Sequence, residues 1–135
     1  SMIALAIGAA TLAWFVAAAV LFFNPPVDKV YRSEEEHPAV KNLPKGPATI
    51  GKILLAVVVQ CALWAYVYIL IKPALGDSAI MRGVLFGVII VLLKIIPRDI
   101  DRVLLTTYPK KRLTIEIIVG IVCAFMVGFV YAFML

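Results

Sequence analysis

Between Leu113 and Leu135 the chain is apolar apart from Glu116, and Gly120, Ala124, Gly128 and Ala132 recur at four-residue spacing. Residues four apart stack on one face of a helix, so these positions form a shallow groove nearly free of side chains. In lipid, burying apolar surface gains little, and helices associate largely through close van der Waals approach. The segment therefore asks for a spanning helix with a second helix laid into its groove.

Three further apolar runs make a similar demand. Of the 135 residues, 64% are hydrophobic and 16% charged, and the runs lack the polar stripe that a soluble helix turns to water. The expected fold is all-α: one integral membrane four-helix bundle over residues 1–135, with spans at about 2–23, 50–71, 79–96 and 113–135. The formal net charge of +5 does not indicate nucleic acid, because nearly all charges fall in the short connections. A bilayer with anionic headgroups is the expected partner. Cys61 and Cys123 lie mid-run, form no CxxC pair and read as small packing residues.

Ser1 reads as an addition ahead of a native start at Met2. The uncharged stretch Met2–Phe23 is long enough to cross a core about 30 Å thick and lacks a basic leader, so it reads as a retained helix and not a cleaved signal. Ala9, Ala13 and Ala17 give it a small-residue face, and Trp14 and Phe15 supply packing bulk. Asn24-Pro25-Pro26 stops it. In the polar connection that follows, Ser33-Glu34-Glu35-Glu36 reads as a capping box and Leu43-Pro44-Lys45-Gly46-Pro47 as a loop. The run Glu34 to His37 does not suit a metal, since adjacent side chains diverge and the chain has no second histidine. The second span, Ile53–Ile71, carries a central amide, Gln60, and an expected aromatic belt of Trp64, Tyr66 and Tyr68. The third is the shortest. Ile80–Ile96 suffices only if Arg82 and Lys94 reach opposite interfaces, and it places Ala79, Gly83 and Gly87 at four-residue spacing. Beyond Pro97, the residues Ile100, Val103, Leu104 and Tyr108 share a face, which predicts a short cytoplasmic amphipathic helix lying at the membrane surface.

Charge placement sets the expected orientation. Lys29, Arg32, Lys41, Lys45, Lys52, Lys94, Arg98, Arg102, Lys110, Lys111 and Arg112 fall on one side, against Lys72 and Arg82 on the other. Positive charge is retained inside, which places residues 24–49 and 97–112 in the cytoplasm of a plasma (inner) membrane and both termini outside. Of this set, Arg98, Arg102, Lys110, Lys111 and Arg112 are the expected headgroup contacts. Levelling the third and fourth spans as antiparallel neighbours makes facing residue numbers add to about 211. Ala79 then meets Ala132, Gly83 meets Gly128 and Gly87 meets Ala124, which predicts intimate contact. The same register sets Glu116 level with Lys94, so pairing with Lys94, or with Arg112 one turn away, is expected to offset its burial.

The spans hold no histidine, no paired aspartates and no Gly-x-Ser-Gly nucleophile, and a single histidine cannot supply bis-histidine haem ligation. No enzyme activity, cofactor or metal is expected. Gln60, Lys94 and Glu116 are the polar or ion-handling candidates for an oligomeric transporter or channel. Otherwise the chain reads as a membrane scaffold, partner subunit or lipid-associated protein, with a second copy or a membrane protein as further partner. The first span's Phe22-Phe23-Asn24-Pro25 ending, Gly83-x3-Gly87, Pro97, Tyr108-Pro109 and the glycine-spaced last helix resemble small bacterial four-span proteins of uncharacterised domain families. The resemblance implies a four-span bundle and no assigned chemistry.

Overall fold

The computed structural model describes residues 1–38, 40 and 46–135. Among these the chain is all-helical: α1 (Met2–Phe22), α2 (Pro25–Ser33), α3 (Pro47–Ile71), α4 (Ala79–Ile90), α5 (Ile96–Leu105) and α6 (Lys110–Met134). A 3-10 turn, Lys72–Leu75, follows α3, and a π-helical turn, Val91–Ile95, joins α4 to α5. The segments Met2–Phe22, Pro47–Leu75, Ala79–Leu105 and Lys110–Met134 are each long and apolar enough to cross a membrane.

The polar segment after α1 differs from the sequence expectation. Asn24-Pro25-Pro26 ends α1, but it also starts α2. The Asn24 side chain accepts from Val27 N–H at 3.1 Å and donates to the Leu21 carbonyl at 2.6 Å, bridging the two helices. Prolines in the first turn cost nothing, because those N–H groups have no intrahelical partner. Ser33 therefore ends a helix and does not cap one; its hydroxyl donates back to the Val30 carbonyl. The capping-box reading fails because the helix signal eight residues upstream has already been used. The expected loop at 43–47 lies outside the described residues up to Lys45.

α6 is the central element. It packs most extensively on α4, then on α1, while α3 leans mainly on α1. The face α1 presents is Ala6, Ala10 and Ala17, all buried. Ala9 and Ala13, expected on that face, are only half-buried. The α4–α6 crossing is set by glycine. A Cβ on Gly128 would stand 2.6 Å from the Gly83 carbonyl oxygen and 2.9 Å from the Gly87 nitrogen. Around this contact, Tyr68, Phe86 and Tyr131 form a buried aromatic cluster with centroids 5.2–6.2 Å apart. Tyr68 is thus in the core, and its hydroxyl accepts from Arg82 Nε at 3.2 Å. Trp64 packs on Trp14. Of the expected belt, only Tyr66 is exposed.

The third span does not stop at Pro97. Proline removes an N–H and its ring crowds the carbonyl four residues back, here Leu93. Widening the preceding turn relieves this: Ile96 N–H donates to Val91 O across five residues, and the helix continues to Leu105. The amphipathic segment is therefore an extension of the third span, and not a separate helix ending at Tyr108.

Backbone atoms cannot swing aside as side chains can, so substitutions along the crossing should rank by what they meet. Gly128→Ala is expected to lose on the order of 1–3 kcal/mol in detergent unfolding. Gly83→Ala and Gly87→Ala meet the rings of Phe129 and Phe125 and should lose less, and Gly8→Ala, with nothing within 4 Å, should lose none. Equal stability of the Gly128 and Gly8 variants would contradict the crossing.

Candidate functional site

The polar groups gather at one end of the bundle, where α5, α6 and α2 meet. Glu116, on α6, accepts from Arg102 Nη1 at 3.1 Å and from the Tyr108 hydroxyl at 3.0 Å, one bond to each carboxylate oxygen. Arg102 also stacks on the Tyr108 ring, 4.7 Å from its centroid. One turn back on α5, Asp99 is buried and takes Arg98 through two 3.3 Å hydrogen bonds. Arg102 lies 3.9 Å from the same carboxylate. Charged side chains so arranged neutralise one another away from water, where a lone charge would be costly.

This is not the pairing expected for Glu116. Lys94 instead places its ammonium 5.0 Å from the ring centroids of both Trp14 and Trp64. Arg112 is buried, stacks 4.2 Å from the Tyr31 ring and donates to the Tyr31 carbonyl at 2.6 Å. Gly128 meets both Gly83 and Gly87, and Gly120 meets Ile95 at the same offset as Gly128 meets Gly87. The helix continues beyond the π turn past Pro97, which brings Arg102 on α5 within reach of Glu116, while Lys94 lies over Trp14 of α1 and Trp64 of α3.

The remaining candidates are readily placed. Gly120, Ala124, Gly128, Ala132, Gly83 and Gly87 are all buried, and Ala79 is half-buried at the first turn of α4. Gly87 lies under Phe125, the neighbour of Ala124. Gln60 is half-buried and its amide nitrogen has no hydrogen-bond partner among the described residues, so it does not bridge helices as expected. Of the expected headgroup contacts, Lys110 and Lys111 are exposed, whereas Arg98, Arg102 and Arg112 are engaged within the protein. Among the described residues, no group of three or more metal-ligating side chains occurs.

Sequence reasoning missed Asp99, Tyr31 and Tyr108. Asp99 and Tyr108 lie in a segment assigned to the surface, and Tyr31 lies in a helix assigned to a loop. Two concavities flank their cluster. One, of about 270 Å³, is lined by His37, Arg102, Thr106, Thr107, Tyr108 and Lys110 among others. The other, of about 410 Å³, is a nearly wholly apolar groove lined by Ile95, Ile96, Ile100, Val103, Leu104 and Ile117, with Asp99 at its edge. Val103 borders both. No protein-family model, curated protein or solved structure matches the chain.

Two measurements check the cluster. In a double-mutant cycle by thermal unfolding in detergent, Glu116→Gln and Arg102→Gln should couple by about 1–3 kcal/mol, while Glu116→Gln and Lys94→Gln should be additive. The phenols supply a spectroscopic test. Burial, then the proximity of Glu116, raises the Tyr31 pKa above its usual 10.0. Burial, then the hydrogen bond to Glu116, raises that of Tyr108 in the same direction. A raised phenol pKa means that the folded state holds its proton longer. The stabilisation is complete below the unfolded value near 10 and is lost as pH rises beyond it. Ultraviolet titration should show late-ionising tyrosine, diminished in both Tyr31→Phe and Tyr108→Phe.

Proposed function

We propose that this protein is a non-enzymatic, lipid-associated protein integral to a plasma (inner) membrane, acting by binding within the bilayer. The observation that carries this reading is the orientation of α5. Its charged residues Asp99 and Arg102 turn inward to α6 and to each other, while Ile100, Val103 and Leu104 are exposed, with Asp101 the charged residue of α5 left on the outside. A helix in water buries the opposite face. An aliphatic exterior over a neutralised polar interior suits hydrocarbon, and the adjoining apolar groove gives that exterior a concave binding surface. Both oxygens of Glu116 are engaged, which favours a structural role for it over ion handling.

The orientation of lowest electrostatic cost puts the basic connections in the cytoplasm and both termini outside. One feature favours a second reading, an oligomeric transporter: the Gln60 amide nitrogen is buried without a partner among the described residues and would suit a polar path completed by another copy.

Topology and transport are separately testable. On intact cells, a membrane-impermeant maleimide should label Ser1→Cys and leave Asp101→Cys unlabelled until the cells are opened. Both positions are exposed, whereas the native cysteines are buried. In vesicles containing the purified protein, proton, sodium and potassium flux should equal that of empty vesicles. Flux abolished by Gln60→Leu would replace the binding reading with transport.

A further inference from the structure

We infer that the flank formed by α5 and the start of α6 is a site for one anionic glycerophospholipid. Its phosphate would occupy the pocket at Arg102 and Lys110, and an acyl chain would lie in the groove along Ile96, Ile100, Val103 and Ile117. This rests on the lipid-associated reading above and adds a ligand class and a location to it.

Three observations carry it. The first is charge. The small pocket is lined by Arg102, Lys110 and His37 with the hydroxyl-bearing Thr106, Thr107 and Tyr108; no carboxylate is among its described lining residues, although Glu116 is bonded to Arg102 and Tyr108. Glu116 takes part of the Arg102 charge, but the contacts of Arg102 with Glu116 and Asp99 use Nη1 alone. Its other nitrogens donate to no other described residue, and a guanidinium suits the bidentate geometry of a phosphate. Lys110 is exposed and adds an unpaired point charge among the described residues.

The second is continuity. Val103 lines both the polar pocket and the apolar groove, which sets the two side by side along α5, the placement a headgroup and acyl chain of one amphiphile need. A free phosphate would use only the first, and an apolar peptide only the second. The third is the order along α5. Running from Ile96 along α5 to Thr107 beyond its end, the lining passes from aliphatic, with the buried Asp99 among it, to basic and hydroxyl-bearing. That gradient matches the passage from acyl region to headgroup, at the end of the bundle where the basic residues lie.

The test uses the full-length protein in nanodiscs of phosphatidylcholine doped with phosphatidylglycerol of the same acyl chains, reading bound lipid by native mass spectrometry after gentle delipidation. The expected result is preferential retention of one phosphatidylglycerol per chain. Lys110→Gln, at an exposed position, should reduce that preference about fivefold, the effect of one lost cation at a membrane surface. Val103→Trp should fill the junction and lower retention of both lipids, while Asp101→Asn should change neither. Circular dichroism and unfolding temperature establish that each variant is folded. Should Lys110→Gln fail to fold, Lys110→Arg must retain the preference. Equal retention of the two lipids, or undiminished retention in Val103→Trp, overturns the site. Displacement by millimolar inorganic phosphate marks a free-anion site and also overturns it. A changed oligomeric mass in Val103→Trp with unchanged lipid makes the groove a protein interface. Absence of ion flux together with absence of lipid preference defeats this site while leaving the binding reading intact.

Discussion

The backbone contact at Gly128 governs how the rest of the bundle is assembled. With the Gly83 carbonyl oxygen and the Gly87 nitrogen less than 3 Å from where a Cβ on Gly128 would stand, α4 and α6 approach more closely than any side chain would allow. Such proximity maximises dispersion contacts, each small but numerous. It also leaves the larger residues nowhere to go except the flanks of the crossing. Phe125 and Phe129 fold over the α4 glycines, and Phe86 is driven with Tyr68 and Tyr131 into one buried cluster. The Tyr131 hydroxyl then donates to the Cys61 carbonyl, fastening α3 to α6 even though the two helices share little surface.

From that fixed crossing the π turn has leverage on everything at the α5 end. It costs regular hydrogen bonding over Val91–Ile95, but it absorbs the clash that Pro97 imposes and lets one helix continue to Leu105. It also seats Ile95 fully buried against Gly120, so the small-residue groove of α6 is used along most of its length. Beyond the π turn, Arg102 on the continued helix reaches Glu116, and Lys94 lies at the two indoles, where the ring quadrupoles attract a cation that lacks a carboxylate.

What could be read from the chain divides along the same line. Helix number, approximate ends and the meeting of Gly83 with Gly128 follow from apolar run length and four-residue spacing, both local and periodic. The partner of Glu116 did not follow, because the third span was read as ending near Pro97, whereas the helix continues to Leu105 and carries the long Arg102 side chain to the carboxylate. Pro97 was the available signal: a proline within a continuous apolar-to-amphipathic stretch can mark a widened turn as well as an end. Pro25-Pro26 misled in a similar way, since the sequence that terminates one helix opens the next. Trp64 and Tyr68 were assigned to an interface by residue type, yet tertiary partners, Trp14 and Phe86, claimed them. Gln60 was expected to bridge helices, but hydrogen-bond geometry is not a periodic property and its amide nitrogen finds no described partner.

The direction in which α5 faces links the packing to the surroundings. Ile96, Ile100, Val103, Leu104 and Leu105 are between 42% and 78% exposed, while Asp99 on the same helix is 4% exposed. In water, burying an aliphatic side chain of this kind is worth about 1.5–3 kcal/mol, so leaving five on the outside would forfeit several kcal/mol. Rotating the helix by half a turn would recover that energy and hydrate the charges as well. In hydrocarbon the balance reverses. The aliphatic face loses nothing by being outside, whereas an unpaired Arg102 or Glu116 outside would be heavily penalised. Drawing Asp99, Glu116 and Arg102 inward, where they neutralise one another at 3.1–3.9 Å, is then the favoured arrangement, with Asp101 alone of the α5 acids left outside. One helix thus joins an aliphatic outer face to inward-turned charges, and this pairing is what the lipid-binding proposal rests on.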